Sequence, residues 1–275
     1  MSEDFISVSR EGPVARVTIA RPERRNAITG DMMRRLDEIA RGFAKDAETR
    51  VVLLEGEGKD FSVGADLRGD RVKAPSDKRL LAREEADTER LVLRRREAEL
   101  GAVMMRSLQE IHQPTICLVR GVATGAGACI ATACDFRLAD DMARMGYGEV
   151  KLGMNLMWNA IGPAVQLVGP SRAKRLIMTG RLFPAATLKE WGFVDEVVKA
   201  EELEPLAREW AEELAGLPPI AVQMIKRSVN ALAGALDRAV LHMDSDQWVL
   251  TTRTEDFAEG VAAFMEKRKP GFKGN

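Results

Sequence analysis

Apolar and polar residues alternate near the start of the chain in a pattern typical of β-strands. The alternation runs through Phe5–Ser9 and Val14–Ala20, and a short turn with glycine and proline separates the two runs. Two such runs joined by a tight turn predict a β-hairpin. Apolar residues then recur every three to four positions up to about Lys45, which predicts an amphipathic helix capped by Thr29 or Asp31.

The rest of the chain continues to alternate between strands and helices. Short apolar runs predict buried strands, and longer periodic stretches predict helices, which dominate after Ser171. The predicted strands are Val51–Glu55, Thr115–Val119, Asp135–Ala139 and Val194–Val198, and the predicted helices are Leu80–Ile111, Ala128–Cys134, Ala221–Leu236, Ala239–Thr251 and Phe257–Lys269. Because the order strand, strand, helix recurs, the sequence predicts a mixed α/β core over residues 1–200 and a helical region over residues 201–275.

The composition argues against several classes of protein. The 275 residues carry a net charge of -1, without the basic excess that marks a nucleic-acid-binding protein. The three cysteines suggest neither a disulfide framework nor a metal site, which fits a reducing compartment. No apolar run approaches the ~20 residues of a membrane helix, and the N-terminus lacks the apolar stretch of a signal peptide. We therefore expect a cytoplasmic protein without a metal, a nucleic-acid partner or a membrane.

Two turns rich in small residues carry the candidate chemistry. The first, Phe61–Leu67, places Gly64 and Ala65 where a strand and loop lead into a helix. The second, Gly121–Gly127, leads into a wholly apolar helix and lacks the Lys-Ser/Thr ending of a phosphate-binding loop. Each turn alone is compatible with ordinary close packing. Together they can supply one backbone N–H each to a single oxygen, the donor pair that stabilises an enolate or a tetrahedral oxyanion.

A series of motifs follows one another along nearly the whole chain. They are Arg21-Pro22-x-x-Arg25-Asn26-Ala27, Phe61-Ser62-x-Gly64-Ala65-Asp66-Leu67, Gly121-x-Ala123-x-Gly125-x-Gly127, Cys134-Asp135, Glu149-x-Lys151-Leu152-Gly153, Thr179-Gly180-Arg181, Gly192-x-Val194-Asp195-x-Val197-Val198 and Glu255-Asp256-x-x-Glu259-Gly260-x-x-Ala263-Phe264-x-x-Lys267-Arg268. In type and order they resemble the crotonase family of enoyl-CoA hydratases and isomerases. The resemblance implies an α/β fold, a crotonase-like spiral of repeated strand–strand–helix units with a C-terminal helical region. It also implies an acyl-CoA thioester as substrate, with coenzyme A as part of the substrate and no other cofactor.

The resemblance assigns expected roles to individual positions. The thioester oxygen would lie between the N–H groups of Ala65 and Ala126, the second position being commonly glycine in the family. The loop at residues 21–27 would lie near the CoA phosphates and adenine, with Arg24, Arg25 and Arg68 as candidate contacts; plain surface charge is the alternative for these arginines. The remaining implied substrate contacts are Ala27, Ser62, Gly64, Asp66, Leu67 and Gly125.

A single glutamate is the implied catalytic group. Hydratases of the family use two glutamates to position and activate water, and the first of these positions falls on Cys129, the second on Glu149. One glutamate alone resembles the Δ3,Δ2-enoyl-CoA isomerases, in which one carboxylate takes a proton from C2 and returns it at C4. Apolar neighbours such as Met145 and Met154 are expected to raise the pKa of Glu149, which improves it as a base near neutrality. The alternative is a surface glutamate at a loop end.

The sequence leaves several alternatives open. Trp158 either closes on an acyl chain or belongs to the core or to an oligomer contact. Cys129 is interpreted as a small buried thiol, because neither histidine of the chain has a triad-like context. Isomerisation is favoured over hydration with a rearranged second group, and over a CoA-binding protein with little catalysis, in which Glu149 would point away from the thioester. The resemblance also implies a homotrimer or a dimer of trimers.

Overall fold

The computed structural model describes residues 5–67 and 87–275, which fold into two sheets surrounded by helices. The strands are β1 (Ile6–Glu11), β2 (Val14–Ile19), β3 (Val51–Gly56), β4 (Thr115–Val119), β5 (Val122–Thr124), β6 (Phe136–Asp140), β7 (Arg144–Gly146), β8 (Phe183–Pro184) and β9 (Glu196–Val198). The helices are α1 (Gly30–Phe43), α2 (Asp87–Gln109), α3 (Ala126–Ala133), α4 (Ile161–Thr179), α5 (Ala185–Glu190), α6 (Leu203–Ala215), α7 (Pro219–Ala233), α8 (Arg238–Leu241), α9 (Asp244–Thr251) and α10 (Glu255–Glu266).

The larger sheet has six strands in the order β1-β2-β3-β4-β6-β9. Strands β1 and β2 are antiparallel, with Ile6 opposite Ile19, so the predicted hairpin is confirmed. All other neighbours in this sheet are parallel. Parallel strands are covered by helices on both faces, which explains why these strands read as apolar runs without alternation.

The smaller sheet joins β5, β7 and β8. The chain runs from β4 into β5 and, later, from β6 into β7. In the larger sheet β4 pairs in parallel with β6, and in the smaller sheet β5 pairs in parallel with β7. From β4 to β7, the chain thereby adds strands to the two sheets alternately, which confirms the spiral of strand–strand–helix units. The sequence predicts a plain turn over Gly121–Gly127. This prediction is wrong for the residues of β5, because a strand of three residues is too short to show a period of two.

Two layers of helices cover the two faces of the larger sheet. Val52 and Leu54 of β3 belong to the main core cluster, together with residues of α1 and α2. The alternate residues Val51 and Leu53 belong to a second cluster with α6, whose apolar side chains lie on β3, β4 and β6. Successive side chains of a strand point to opposite faces, so one apolar strand can supply both clusters. The last strand ends at Val198, and the helices from Leu203 onward form the expected C-terminal helical region.

The boundaries of several helices differ from the prediction. Helix α4 begins at Ile161, well before Ser171, and bends where Gly169 has a φ of 74° and Pro170 follows. The predicted helix over Ala239–Thr251 is divided into α8 and α9. Thr29 caps α1 as expected, because its Oγ1 accepts a hydrogen bond from Met32 N–H. Thr254 caps α10 in the same way, since its Oγ1 accepts from Phe257 N–H. Among the helices that the structure describes, none is long and apolar enough to cross a membrane.

Candidate active site

The first small-residue turn is held against strand β5 by backbone hydrogen bonds. Phe61 N–H donates to Arg120 O at 2.8 Å, and Ser62 N–H donates to Val122 O at 3.0 Å. Thr124 N–H donates back to Ser62 O at 3.0 Å. The two turns that the sequence singled out are therefore bound to each other immediately before Gly64 and Gly125.

Two fully buried polar side chains fix the shape of the first turn. Ser62 Oγ donates to Asn26 O at 2.7 Å and accepts a hydrogen bond from Gly64 N–H at 3.3 Å. Asn26 Nδ2 donates to the carbonyls of Glu57 and Asp60 at 2.9 and 2.8 Å. Because Ser62 has no exposed surface, its hydroxyl supports the turn from behind.

Glycine lets the two turns approach each other closely. Gly64 has a φ of 103°, and a Cβ placed on it would lie 3.1 Å from Thr124 O and 3.7 Å from the Ala126 nitrogen. Gly125 has a φ of 53°, and a Cβ there would lie 3.7 Å from the Gly64 Cα. Positive φ and close backbone contact both favour residues without a side chain. The backbones around Ala65 and Ala126 thus meet at one place.

Two free N–H groups lie at this meeting point. Among the described residues, none accepts a hydrogen bond from Ala65 N–H or from Ala126 N–H. Ala126 is the first residue of α3, where N–H groups lack partners within the helix and the helix dipole favours negative charge. Ala65 is exposed and Gly125 is partly exposed, whereas Ala126 is buried, so solvent reaches this meeting point from the side of Ala65 and Gly125. A carbonyl oxygen that develops negative charge is the group that such a donor pair stabilises.

Glu149 lies beside the second turn. It begins a short 3-10 helix, Glu149–Leu152, hereafter the Glu149 helix, which follows β7. A Cβ placed on Gly125 would be only 3.3 Å from Glu149 Oε1, and Glu149 Oε2 is buried without a hydrogen-bond partner among the described residues. Burial raises the pKa of Glu149 to about 7, as expected from its apolar sequence neighbours. A carboxylate with that pKa exchanges protons readily at neutral pH.

Cys129 and Tyr147 border the glutamate on the side of the core. Burial, and then the charge of Glu149, raise the pKa of the Cys129 thiol well above its usual range. Burial likewise raises the pKa of Tyr147, whose hydroxyl is hydrogen-bonded with Thr132 Oγ1 at 2.7 Å. Cys129 is 1% exposed and stays a neutral thiol, as the sequence analysis interpreted it.

The arginines of the 21–27 loop are engaged in ion pairs. Arg25 Nε donates to Asp60 Oδ2 at 2.7 Å, and the other oxygen of this buried carboxylate accepts Val122 N–H at 2.9 Å. Asp66 is paired with Arg21 at 2.7 Å and with Arg24 at 3.5 Å. The side chains of Arg24 and Arg25 keep 36% and 58% of their surface exposed, so each still presents donors to solvent.

Other predicted contact positions surround this loop. Ala27 is buried, and Asp66 and Leu67 are partly exposed next to Ala65. Arg68 lies outside the described residues. Ala27 O accepts a hydrogen bond from Arg21 at 3.0 Å, which closes the loop. The structure thus brings the first turn, the second turn, the arginine loop and Glu149 to one side of the molecule.

Trp158 is 8% exposed and belongs to the main core cluster. A Cβ placed on Gly101 of α2 would lie 2.2 Å from its indole Nε1, so the ring rests directly on that glycine. Trp158 and Asn159 both have positive φ, 65° and 58°, and Asn159 N–H donates to the buried Asp244 carboxylate at 2.7 Å. Gly101 and Asp244 could not be predicted as neighbours of Trp158, because nothing in the local sequence connects either residue to it.

Comparisons with known proteins identify the family of the chain. Residues 9–275 match the profile described as enoyl-CoA hydratase/isomerase. The chain is 33% identical over 276 residues to a short-chain-enoyl-CoA hydratase of Clostridium acetobutylicum, with 99% of each chain covered. It is 31% identical over 271 residues to a 1,2-epoxyphenylacetyl-CoA isomerase of Escherichia coli, covering 98% of this chain and 99% of that protein.

A solved structure extends the similarity to the fold. The crystal structure of an enoyl-CoA hydratase from Mycobacterium avium subsp. paratuberculosis matches with a TM-score of 0.84 at 26% identity, over 98% of both chains. With its spiral of two sheets and its family profile spanning residues 9–275, the chain belongs to the enoyl-CoA hydratase/isomerase family of the crotonase superfamily.

Proposed function

We propose that this enzyme moves the double bond of an enoyl-CoA thioester from the 3-position to the 2-position, with Glu149 as its single acid–base group. The observation that carries the proposal is the buried Glu149 carboxylate beside Gly125, next to two free N–H groups and a thiol at Cys129. Glu149 lies against the donor pair, which supports catalysis over a role limited to binding CoA.

The reaction follows from these groups. The thioester oxygen accepts hydrogen bonds from Ala65 N–H and Ala126 N–H, and Glu149 removes a proton from C2. The electron pair of the broken C–H bond moves into the thioester as an enolate, whose oxygen the two N–H groups stabilise; one such donor is worth roughly 10²–10³-fold in rate. The thioester carbonyl then re-forms, and a double bond forms between C2 and C3. The electrons of the former C3–C4 double bond take the proton from Glu149 at C4.

The arginine loop supports binding of the CoA part. Arg24 and Arg25 are partly exposed cations beside the first turn, and guanidinium groups bind phosphate well. Arg68 follows the same turn in the sequence. These three residues, with Ala27, Gly64, Asp66, Leu67 and Gly125 as nearby positions and Trp158 as a candidate wall of the acyl pocket, stay predicted contacts. Ser62, which was also a predicted contact, has no exposed surface and supports the first turn instead.

Hydration of a 2-enoyl-CoA is the second candidate. Asp244 is a second buried carboxylate. Its charge, like that of Glu149, raises the pKa of the Cys129 thiol, so Asp244 lies in the same part of the core as Cys129. The similar protein from Clostridium acetobutylicum is named a short-chain-enoyl-CoA hydratase. A second carboxylate that reaches the substrate would allow water to be activated and added.

Product analysis decides between the two reactions. The purified protein is mixed separately with a 3-enoyl-CoA and a 2-enoyl-CoA of equal chain length, and products are followed by absorbance and mass spectrometry. The proposal expects conversion of the 3-enoyl substrate without a change in mass. A gain of one water from the 2-enoyl substrate, with no conversion of the 3-enoyl substrate, contradicts it and identifies a hydratase.

We further infer that the chain forms a homotrimer or a dimer of trimers. Helix α7 has no buried residue within the chain, although many of its residues are apolar. The exposed apolar side chains on α7 and just after it are Ile220, Met224, Ile225, Val229, Leu232 and Leu236. A contiguous exposed apolar face is typical of a subunit interface, and the trimeric arrangement itself comes from the family resemblance.

Charging this face is expected to break the assembly. Leu232 and Leu236 are 81% and 83% exposed, so the double change Leu232→Glu/Leu236→Glu leaves the core intact but places two carboxylates in an apolar interface. We expect the mass measured by light scattering to fall from that of a trimer or hexamer to that of one chain. Met142→Glu, at a residue that is 76% exposed in the turn between β6 and β7, is the control. A wild-type protein that is already monomeric contradicts the inference.

A further inference from the structure

The Glu149 helix is in direct backbone contact with α10. A Cβ placed on Gly260 of α10 would lie 2.7–2.8 Å from the backbone C, Cα and O of Leu152. In the opposite direction, a Cβ on Gly153 would lie 2.9 Å from the backbone of Asp256 and Phe257. Real Cβ atoms essentially never come within 3.0 Å of another heavy atom, so each glycine allows the other element to approach.

The two contacts are one helical turn apart on α10. They involve backbone atoms, which cannot rotate away as the end of a flexible side chain does. A methyl group at Gly260 therefore has to displace the Glu149 helix or α10 itself. The contacts also explain why the sequence carries glycine at Gly260, inside a helix, where it costs stability relative to alanine.

Displacement of Leu152 is transmitted to Glu149, because the Glu149 helix is closed by its own hydrogen bonds. Gly153 N–H donates to Val150 O at 3.1 Å, and Met154 N–H donates to Glu149 O at 3.1 Å. A segment of four residues tied in this way moves as one unit.

Helix α10 is in turn anchored on several sides. Its N-terminus is capped by Thr254, and Phe257, Val261 and Ala263 are buried. The Asp256 carboxylate accepts hydrogen bonds from the N–H groups of Lys273 and Gly274 at 2.6 and 2.9 Å, which fastens the following segment to the first turn of the helix. An anchored helix is a suitable support for a group whose position matters.

We propose that Gly260 is a positioning residue for Glu149: its missing side chain lets α10 hold the Glu149 helix where the carboxylate is buried beside Gly125. The proposal rests on the proposed role of Glu149 as the acid–base group. The contact also gives a physical reason for the glycine in the motif around Glu259-Gly260, since this motif takes no part in the proposed reaction.

The test compares Gly260→Ala with Gly42→Ala. Both glycines lie in helices, but a Cβ on Gly42 meets nothing within 4 Å. For Gly260→Ala we expect kcat to fall roughly 10–100-fold with KM nearly unchanged, because misplacement by about 1 Å costs up to 10²-fold. The pH at which kcat/KM is half-maximal should move from about 7 towards the ordinary carboxyl pKa of 4.5, because displacement admits water to Glu149. Gly42→Ala should match the wild type in all three quantities.

A direct titration separates this inference from the proposed function. The pKa of the Glu149 carboxyl is measured by infrared difference spectroscopy on the free enzyme, with Glu149→Gln identifying its band. A lower pKa in Gly260→Ala supports the positioning role even if the wild type proves to be a hydratase. An unchanged pKa together with an unchanged kcat overturns it.

A second pair of variants covers the case in which Gly260→Ala does not fold. Val261→Ala loosens α10 by removing buried volume without a clash, and Val17→Ala removes the same volume from strand β2. Both changes lower stability, but only Val261→Ala is expected to lower the Glu149 pKa and the pH of half-maximal activity. Equal pH profiles for the two variants also overturn the inference.

Discussion

Replacing Glu149 with Gln is expected to lower kcat for double-bond migration by roughly 10²–10⁴-fold, the usual contribution of a positioned acid–base group. Glutamine has nearly the same shape and fills the same place beside Gly125, but it cannot accept and return a proton. In the proposed mechanism the carboxylate contacts the reacting carbon while the N–H groups hold the thioester oxygen. The dissociation constant of an unreactive acyl-CoA analogue should therefore stay within about threefold, measured by calorimetry.

The activity of the wild-type enzyme should depend on the ionisation of the same group. Burial raises the pKa of Glu149 to about 7. In the proposed mechanism the basic form of this carboxyl removes the C2 proton. We therefore expect kcat/KM to increase with pH and to level off above about 7, measured with a 3-enoyl-CoA. A profile that levels off near the ordinary carboxyl value of 4.5 would show that Glu149 is solvated in the free enzyme.

Stability provides a control that does not depend on activity. The pKa of Glu149 is higher in the folded chain than in the unfolded one, so its protonated form is stabilised by folding. That contribution is fully present below the unfolded value of 4.5 and is lost as the pH rises through about 7. With about 1.4 kcal/mol for each pKa unit, the shift from 4.5 to about 7 corresponds to a loss on the order of 3–4 kcal/mol.

The variant Glu149→Gln should lack this loss. Comparing the change in the free energy of unfolding between pH 5 and pH 8 in both proteins cancels the constant cost of burying an amide. An equal change in both would mean that Glu149 does not titrate in this range, and would remove the physical basis for its role as a base.

The second large effect is expected for the donor pair. Ala126→Pro removes one N–H from the proposed oxyanion site, and proline is accepted at the first position of a helix, which Ala126 occupies in α3. Loss of one such donor costs roughly 10²–10³-fold in kcat. The preceding Gly125 has no Cβ to clash with the proline ring.

Two controls define the interpretation of Ala126→Pro. Ala126→Gly keeps the N–H and should stay within a fewfold of the wild-type kcat. Free CoA has no thioester carbonyl, so its affinity should be the same for wild type and Ala126→Pro. A proline variant that folds, binds CoA and retains full kcat would place the thioester oxygen elsewhere.

Local patterns in the sequence determined much of the fold. Alternation fixed the hairpin of β1 and β2, and apolar runs fixed β3, β4 and β6, because a period of two or a short buried run is visible without knowledge of distant contacts. Thr29 and Thr254 are helix caps for an equally local reason, since a cap bonds to an N–H three residues later. Strands β5, β7 and β8 have two or three residues each and are defined only by their partners.

For the site, the sequence determined which residues are candidates, and the tertiary structure decided how they meet. Gly64 and Gly125 can be identified from their motifs, but their approach depends on the pairing of Ser62 with Val122 and Thr124, segments far apart in the chain. The pKa of Glu149 depends on burial, which apolar sequence neighbours suggest and only the packed core produces. The contact of Gly260 with the backbone of Leu152 is visible in the sequence only as a glycine inside a helix. The sequence does not explain this glycine, because Leu152 lies far away along the chain.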